Sequence, residues 1–218
     1  MPDHTAPLGA GHDTYATSTR ADILPLVDRR YPHVLDVGCS AGNTGALLKE
    51  RGLCERVTGI EPFAATAALA RHKLDHVIEK PVEAALNDIP DLSVDCILCL
   101  DVLEHLVDPW ATVERLSTKL KPGGAFITSV PNVRHVQVLF NLLVRGRFRY
   151  TDSGILDRTH LRFFTRESAL ALMQTQSLAI EQSSGLLGPL SKGLNTASLG
   201  LFKDLLIGQY LMRSRKAA

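Results

Sequence analysis

Val34-Leu35-Asp36-Val37-Gly38-Cys39-Ser40-Ala41-Gly42 is the stretch whose reading decides the fold. Its first residues suit a short, fully buried strand. Gly38 and Gly42 then bracket a turn that feeds a predicted helix over about 44–51. In open α/β sheets such a turn lets the backbone approach a ligand held beyond the carboxyl ends of the strands.

Strands and helices alternate outward from that unit. Arg56–Ile60 reads as a second strand ending at Glu61-Pro62, and Pro62 suits the start of an alanine-rich helix over Phe63–Arg71. His76–Ile78 is a short third strand, Val94–Leu100 a fourth and Ala125–Val130 a fifth. Asp108-Pro109 caps and opens a helix over about 110–120, and Lys121-Pro122-Gly123-Gly124 is a sharp turn. Upstream, Ala21–Arg30 carries Ile23, Leu24, Leu26 and Val27 at helical spacing, with Pro25 best placed in a first turn. The alternation predicts an α/β fold with a doubly wound, mainly parallel sheet. Residues 131–164 break the rhythm and are too long for an ordinary connection. A helix near Arg166–Gln174, a strand near Leu178–Ser183 and a last strand near Gln209–Arg213 follow. Residues 1–20 read as a flexible tail, or as a lid in which Tyr15 and Arg20 fold over a ligand; residues 21–218 read as one domain.

With 218 residues and a net charge of +1, the chain can bury a substantial core and carries no extended basic face for nucleic acid. No signal peptide is expected, and no stretch approaches the roughly 18 apolar residues of a membrane span. The four cysteines lack scaffold spacing, so a reducing cytoplasm is the expected compartment. Cys96 and Cys99 are three apart on a strand and face opposite sides, so they cannot clamp one ion. The eight histidines are scattered without metal-ligand spacing, and no metal is expected.

Three kinds of glycine turn compete at Gly38. A phosphate-binding loop needs Gly-Lys-Ser/Thr, which is missing. A dinucleotide fingerprint needs a close G-x-G pair, whereas here Cys39-Ser40-Ala41 separates Gly38 from Gly42. Asp36, an acid inside an apolar strand, would repel a pyrophosphate and attract a cationic amino acid moiety. Glu61, at the end of the second strand, can accept hydrogen bonds from both ribose hydroxyls. The pair fits a nucleoside with a positive amino group.

These residues resemble the class I S-adenosylmethionine-dependent methyltransferases. The opening run looks like that family's first motif, and Gly59-Ile60-Glu61-Pro62 like its ribose-binding acid. Leu100-Asp101-Val102-Leu103-Glu104-His105-Leu106 and Leu120-Lys121-Pro122-Gly123-Gly124 look like its later motifs, so the resemblance runs from about Tyr31 to the carboxyl terminus. It implies a Rossmann-like seven-stranded sheet with the last strand antiparallel and a helical cap after the fifth strand. It further implies that Asp36, Gly38, Ser40 and Gly42 line the methionine portion and the turn, while Cys39 either brushes the cofactor or is simply a small turn residue. Glu61 would hold the ribose, with Pro62 and Phe63 beside the adenine. Val82 and Glu83 fall at the adenine-facing loop, and Asp101 and Val102 lie near the sulfonium. Position 40 is often glycine in the family and is serine here.

Methyl transfer from a sulfonium is an in-line displacement, so alignment in a dry site does most of the work. A hydroxyl acceptor also benefits from a base. The candidates are His105 after the fourth strand, His135 after the fifth, and His160 with Asp157 to orient it. The run Asp157-Arg158-Thr159-His160-Leu161-Arg162-Phe163-Phe164 resembles an Asp-x-Thr-His-x-x-x-Phe segment of bacterial methyltransferases of polysaccharide, sugar or quinone pathways, in which it helps close the acceptor pocket. Arg145, Arg147 and Arg149 alternate with Phe148 and Tyr150, either as the solvated end of a helical cap or as a site for a phosphorylated acceptor or an anionic membrane surface. The reading is therefore O-methylation of a small-molecule or glycoconjugate acceptor, by a monomer or homodimer. Its rivals are N-methylation of an amine, a nucleotide-sugar oxidoreductase and a non-catalytic subunit.

Overall fold

The computed structural model describes residues 18–188, 191–193, 196 and 199–217. Tyr15 and most of the expected tail or lid lie outside them. The chain runs β1 (Tyr31–Val37), α1 (Asn43–Glu50), β2 (Cys54–Ile60), α2 (Ala64–Ala70), β3 (His76–Ile78), α3 (Val82–Ala85), β4 (Val94–Leu100) and α4 (Pro109–Lys119). It continues with β5 (Leu120–Pro131), α5 (Val136–Leu143), α6 (Arg166–Met173), β6 (Leu178–Leu187), α7 (Lys203–Leu206) and β7 (Ile207–Lys216).

Among the described residues the sheet has seven strands in the order β3-β2-β1-β4-β5-β7-β6. Strands β1 to β5 pair in parallel, and β7 lies antiparallel between β5 and β6. The expected doubly wound sheet with an antiparallel last strand is the fold observed. Its strand order reverses beside β1, between β1 and β4, which is where such sheets bind ligands.

The pleat sends alternate residues to two cores. Leu35, Val37, Ile97, Cys99 and Phe126 pack on one face. Val34, Val57, Cys96, Leu98 and Ile127 pack on the other, against Leu48 of α1 and Ala67 and Ala70 of α2. Cys96 and Cys99 thus fall in separate cores, as their spacing requires, and burial pushes both thiols up. Asp108 caps α4 as expected, its side chain accepting from the Ala111 N–H at 3.0 Å, with Pro109 in the first turn.

Several boundaries differ from the sequence reading. The segment after Ala21 is a 3-10 turn over Ala21–Leu26, because Pro25 inside it removes a backbone donor and the chain is extended from Val27. The turn at Lys121–Gly124 lies within β5: Leu120 pairs with Val94 and Ala125 with Cys96, so the intervening residues bulge out with Gly123 at φ +72. Strands β6 and β7 are also longer than expected, ten residues each.

The insertion after β5 contains one two-turn helix, α5, followed by irregular chain. Of α5 only Val138 is buried, and Phe140 and Leu143 are exposed. The insertion is tied back by the Asn132–Phe164 bridge. The Glu104 carbonyl also accepts from the N–H groups of Leu161 at 2.7 Å and Arg162 at 3.0 Å.

Candidate active site

The turn after β1 is built on backbone hydrogen bonds. Gly38 and Cys39 both donate to the Ile60 carbonyl, at 2.8 and 3.0 Å, and Gly42 N–H donates to the Cys39 carbonyl at 2.8 Å. Gly38 has φ +68 and Gly42 φ +77, the left-handed region that only glycine enters at no steric cost. A Cβ on Gly38 would stand 2.5 Å from Val102 Cγ2, so the first glycine also makes room for the residue that follows β4. Ser40 sits at φ +49, which explains why glycine suits that position, and Asp101 at φ +57. Strained non-glycine backbone collects at ligand sites, and both residues lie at the carboxyl edge of the sheet.

Glu61 is buried at the end of β2 and reaches across to the turn. Its carboxylate accepts from the Ser40 N–H at 2.9 Å and the Phe63 N–H at 3.1 Å. Asp36 lies beneath the same turn on the face covered by α1, and its Oδ2 is buried without a hydrogen-bond partner among the described residues. Burial, with the Glu61 charge nearby, pushes the Asp36 carboxyl up to about 7. Two acids with acceptor capacity and a glycine turn pressed close to them fit a cofactor carrying ribose hydroxyls and a cationic amino group. Phe63, half exposed beside Glu61, offers a flat apolar surface there.

Other cofactor candidates divide. The Cys39 side chain is buried against β2: a Cβ on Gly59 would meet its sulfur at 2.5 Å, and burial pushes the thiol up. It packs the turn against β2. Val82 belongs to the core with Ile60 and Ile78, and Glu83 is an exposed residue of α3. The start of α3 at Val82 turns that side chain inward and leaves Glu83 on the surface.

Arg20 is placed at the far end of β4. Its guanidinium pairs with Asp101, donates to Ser129 Oγ at 3.2 Å and Gln209 Oε1 at 3.3 Å, and bridges to Asp22 at 2.7 Å. Its backbone N–H donates to Thr44 Oγ1 at 3.2 Å, which ties the entry segment to α1. Asp101 further accepts from Ser129 Oγ at 2.8 Å and from the Gln209 amide.

Beyond Asp101 opens a cavity of about 340 Å³, lined among others by Glu104, His105, Ile155, His160, Leu186 and Gln209. His105 and His160 stack edge to face with centroids 4.7 Å apart. His160 Nδ1 lies 3.0 Å from the Ile155 carbonyl and His105 Nδ1 3.2 Å from the Thr159 carbonyl. A carbonyl only accepts, so each Nδ1 is the donor, and in the neutral ring each Nε2 is the acceptor. Burial and the neighbouring His160 hold the His105 pKa below the usual histidine range, which keeps that ring neutral.

Asp157 does not orient His160, as the sequence suggested. Its carboxylate accepts from Thr159 N–H at 2.8 Å and Thr159 Oγ1 at 2.7 Å, and Thr159 Oγ1 is 3.1 Å from His105 Nδ1. The acid therefore acts on His105 through a hydroxyl. His135 caps α5, its Nδ1 accepting from Gln137 N–H at 3.4 Å, and is not among the residues lining the cavity. Glu104, which sequence reasoning passed over as a site residue, is fully buried with neither carboxylate oxygen hydrogen-bonded among the described residues.

Residues 12–183 match the family described as methyltransferase domain, and the chain belongs to that family, a class of S-adenosylmethionine-dependent enzymes. A ubiquinone biosynthesis O-methyltransferase of Xanthomonas campestris is 29% identical over 171 residues, covering 71% of this chain and 65% of the relative. The chain thus spans just under two thirds of that relative's length. Among solved structures, an S-adenosylmethionine-dependent methyltransferase from Archaeoglobus fulgidus superposes with a TM-score of 0.64 at 20% identity, covering 94% of each chain. The 1,6-didemethyltoxoflavin-N1-methyltransferase of Burkholderia thailandensis, solved with S-adenosylhomocysteine, gives 0.61 at 18% identity, covering 96% of this chain and 79% of that one. Both share the sheet described above. No helix among the described residues is long and apolar enough to cross a membrane.

Proposed function

We propose that the protein transfers the methyl group of S-adenosylmethionine to a hydroxyl of a flat, aromatic or quinone-like small molecule. The cofactor supplies an electrophilic methyl on sulfur. Glu61 would accept from the ribose hydroxyls, Phe63 would flank the adenine and Arg20 would face the methionine carboxylate. Asp101 and Val102 would border the sulfonium. The acceptor would then enter the cavity beyond Asp101, where His105 and His160 offer nitrogen lone pairs to a hydroxyl proton.

One observation carries the choice of acceptor. A run of rings leads from the insertion to the cavity: Phe148 and Phe163 lie 5.8 Å apart, Phe163 and His160 6.4 Å, and His160 meets His105. Such a path suits a planar ring, in keeping with the name of the Xanthomonas relative. A sugar or glycoconjugate acceptor is the second reading, supported by the resemblance of the Asp157–Phe164 run. Label transfer from methyl-labelled S-adenosylmethionine to hydroquinone and catechol acceptors, run beside a set of sugars, decides between them. Label on phenolic oxygen is expected; label on sugars alone overturns the acceptor class.

Arg145, Arg147 and Arg149 are exposed beside the apolar residues of α5. Replacing all three with alanine should raise KM for an acceptor bearing a phosphate about tenfold with kcat nearly constant, since exposed charge contacts contribute roughly 0.3–1 kcal/mol each. An unchanged KM removes them from the acceptor path.

A further inference from the structure

We propose that Glu104, His105 and His160 bind one divalent transition-metal ion, with Zn2+ the best match to a set of two imidazoles and one carboxylate. Their ligand atoms lie within 4.8 Å of one another. His160 Nε2 stands 4.0 Å from Glu104 Oε1. Donors at about 2.0–2.2 Å from a zinc ion are closer to each other than that, so binding needs a contraction of about 1 Å in side chains that line an open cavity.

Three independent features of this cluster are those of a ligand set. Both imidazoles place Nδ1 on a backbone carbonyl, which leaves Nε2 as the ligand atom, and His160 Nε2 faces Glu104; metal-bound histidines are held this way. His105 has in addition the Thr159 hydroxyl and, behind it, the Asp157 carboxylate, a supporting chain that fixes its ring. Glu104 is buried with two unpartnered oxygens, and a carboxyl group so placed is costly unless a cation or a proton satisfies it. Asp101 is excluded from the set because Arg20, Ser129 and Gln209 already hold its carboxylate. Imidazole ligands favour zinc and its first-row neighbours over magnesium.

The expectation of no metal was drawn from sequence spacing. His160 is 56 positions beyond Glu104, and the docking of Leu161 and Arg162 on the Glu104 carbonyl, with the contact of Thr159 on His105, brings the three together. What the ion would do rests on the methyltransferase reading: with both Nε2 lone pairs taken up as ligands, the ion, in place of the imidazoles, would polarise an acceptor hydroxyl in the cavity and ease loss of its proton. The site itself does not depend on that reading.

The test uses the full chain, stripped with a chelator and dialysed against Zn2+ or Mg2+, with bound metal counted by mass spectrometry. About one equivalent of Zn2+ and no stoichiometric Mg2+ is expected. Glu104→Gln and His160→Ala should each weaken Zn2+ binding at least tenfold, and Thr159→Val, which removes the hydroxyl that links Asp157 to His105, about tenfold. Co2+ bound to the wild type should show ligand-field bands in the visible that His160→Ala abolishes, a signature that a merely structural histidine would not give. Absence of Zn2+ binding in the wild type, or binding unchanged in both Thr159→Val and His160→Ala, overturns the proposal. S-adenosylmethionine titrated into the same wild-type sample separates the two failures: cofactor binding without zinc refutes the metal site alone, and zinc binding without cofactor refutes the methyltransferase reading alone.

Discussion

Glu61→Ala is expected to weaken S-adenosylmethionine binding by about 100-fold or more. A hydrogen bond to a charged group contributes roughly 1.5–3 kcal/mol, and two ribose hydroxyls on one carboxylate make two of them. The same carboxylate accepts from the Ser40 and Phe63 N–H groups, so its removal also leaves two backbone donors at the turn to find new partners. Glu61→Gln keeps the shape and one carbonyl oxygen and should lose about tenfold. Titration calorimetry of the two variants measures both effects. Near-wild-type affinity in Glu61→Ala would move the ribose away from the end of β2.

Asp36→Asn should make the cofactor-free protein more stable at pH 8 and the cofactor less tightly bound. The Asp36 carboxyl is buried with its pKa raised to about 7, whereas in the unfolded chain it titrates near about 4. The folded state therefore holds the proton more tightly. That contribution is fully present below about pH 4 and is lost as pH rises toward 7, at a cost on the order of a few kcal/mol. Asparagine has no charge to bury, so the variant escapes the loss.

Burial and the Asp101 charge raise Glu104 in the same direction, but Glu104 is common to both proteins and cancels in the comparison. Urea midpoints at pH 5 and pH 8 read the effect: the variant should gain on the wild type between the two. No relative gain at pH 8 would mean that Asp36 is ionised against a cation already present. A cationic amino group should prefer the ionised acid, so wild-type affinity for the cofactor is expected to rise between pH 6 and pH 8 and the variant's to stay flat.

The donor half of the site was legible in the sequence because it is local. Buried strand, glycine turn and helix occupy consecutive residues at Val34–Glu50, and Glu61 follows its own strand directly, so periodicity and turn chemistry are enough to find them. Inside that half, the inward turn of the Cys39 and Val82 side chains was not legible, because Cys39 packs on Gly59 of β2 and Val82 joins the core at the start of α3, contacts that position along the chain does not reveal.

The acceptor half was only partly legible. His105 and His160 are recognisable as residues that can carry chemistry, yet nothing in their spacing says that they meet. Glu104 looked like the neighbour of a histidine, and its burial depends on the insertion folding back over β4. Asp157 was paired with the wrong histidine because Thr159 stands between them in space while His160 stands beside them in sequence.

The most direct test of the central claim is calorimetric titration of the full chain with S-adenosylmethionine and, in parallel, with NAD. Saturable binding of one S-adenosylmethionine per chain with no heat from NAD is the predicted result. Binding of NAD, or no binding of S-adenosylmethionine, would contradict the assignment of the turn at Gly38–Gly42 and its acids Asp36 and Glu61 to a sulfonium cofactor.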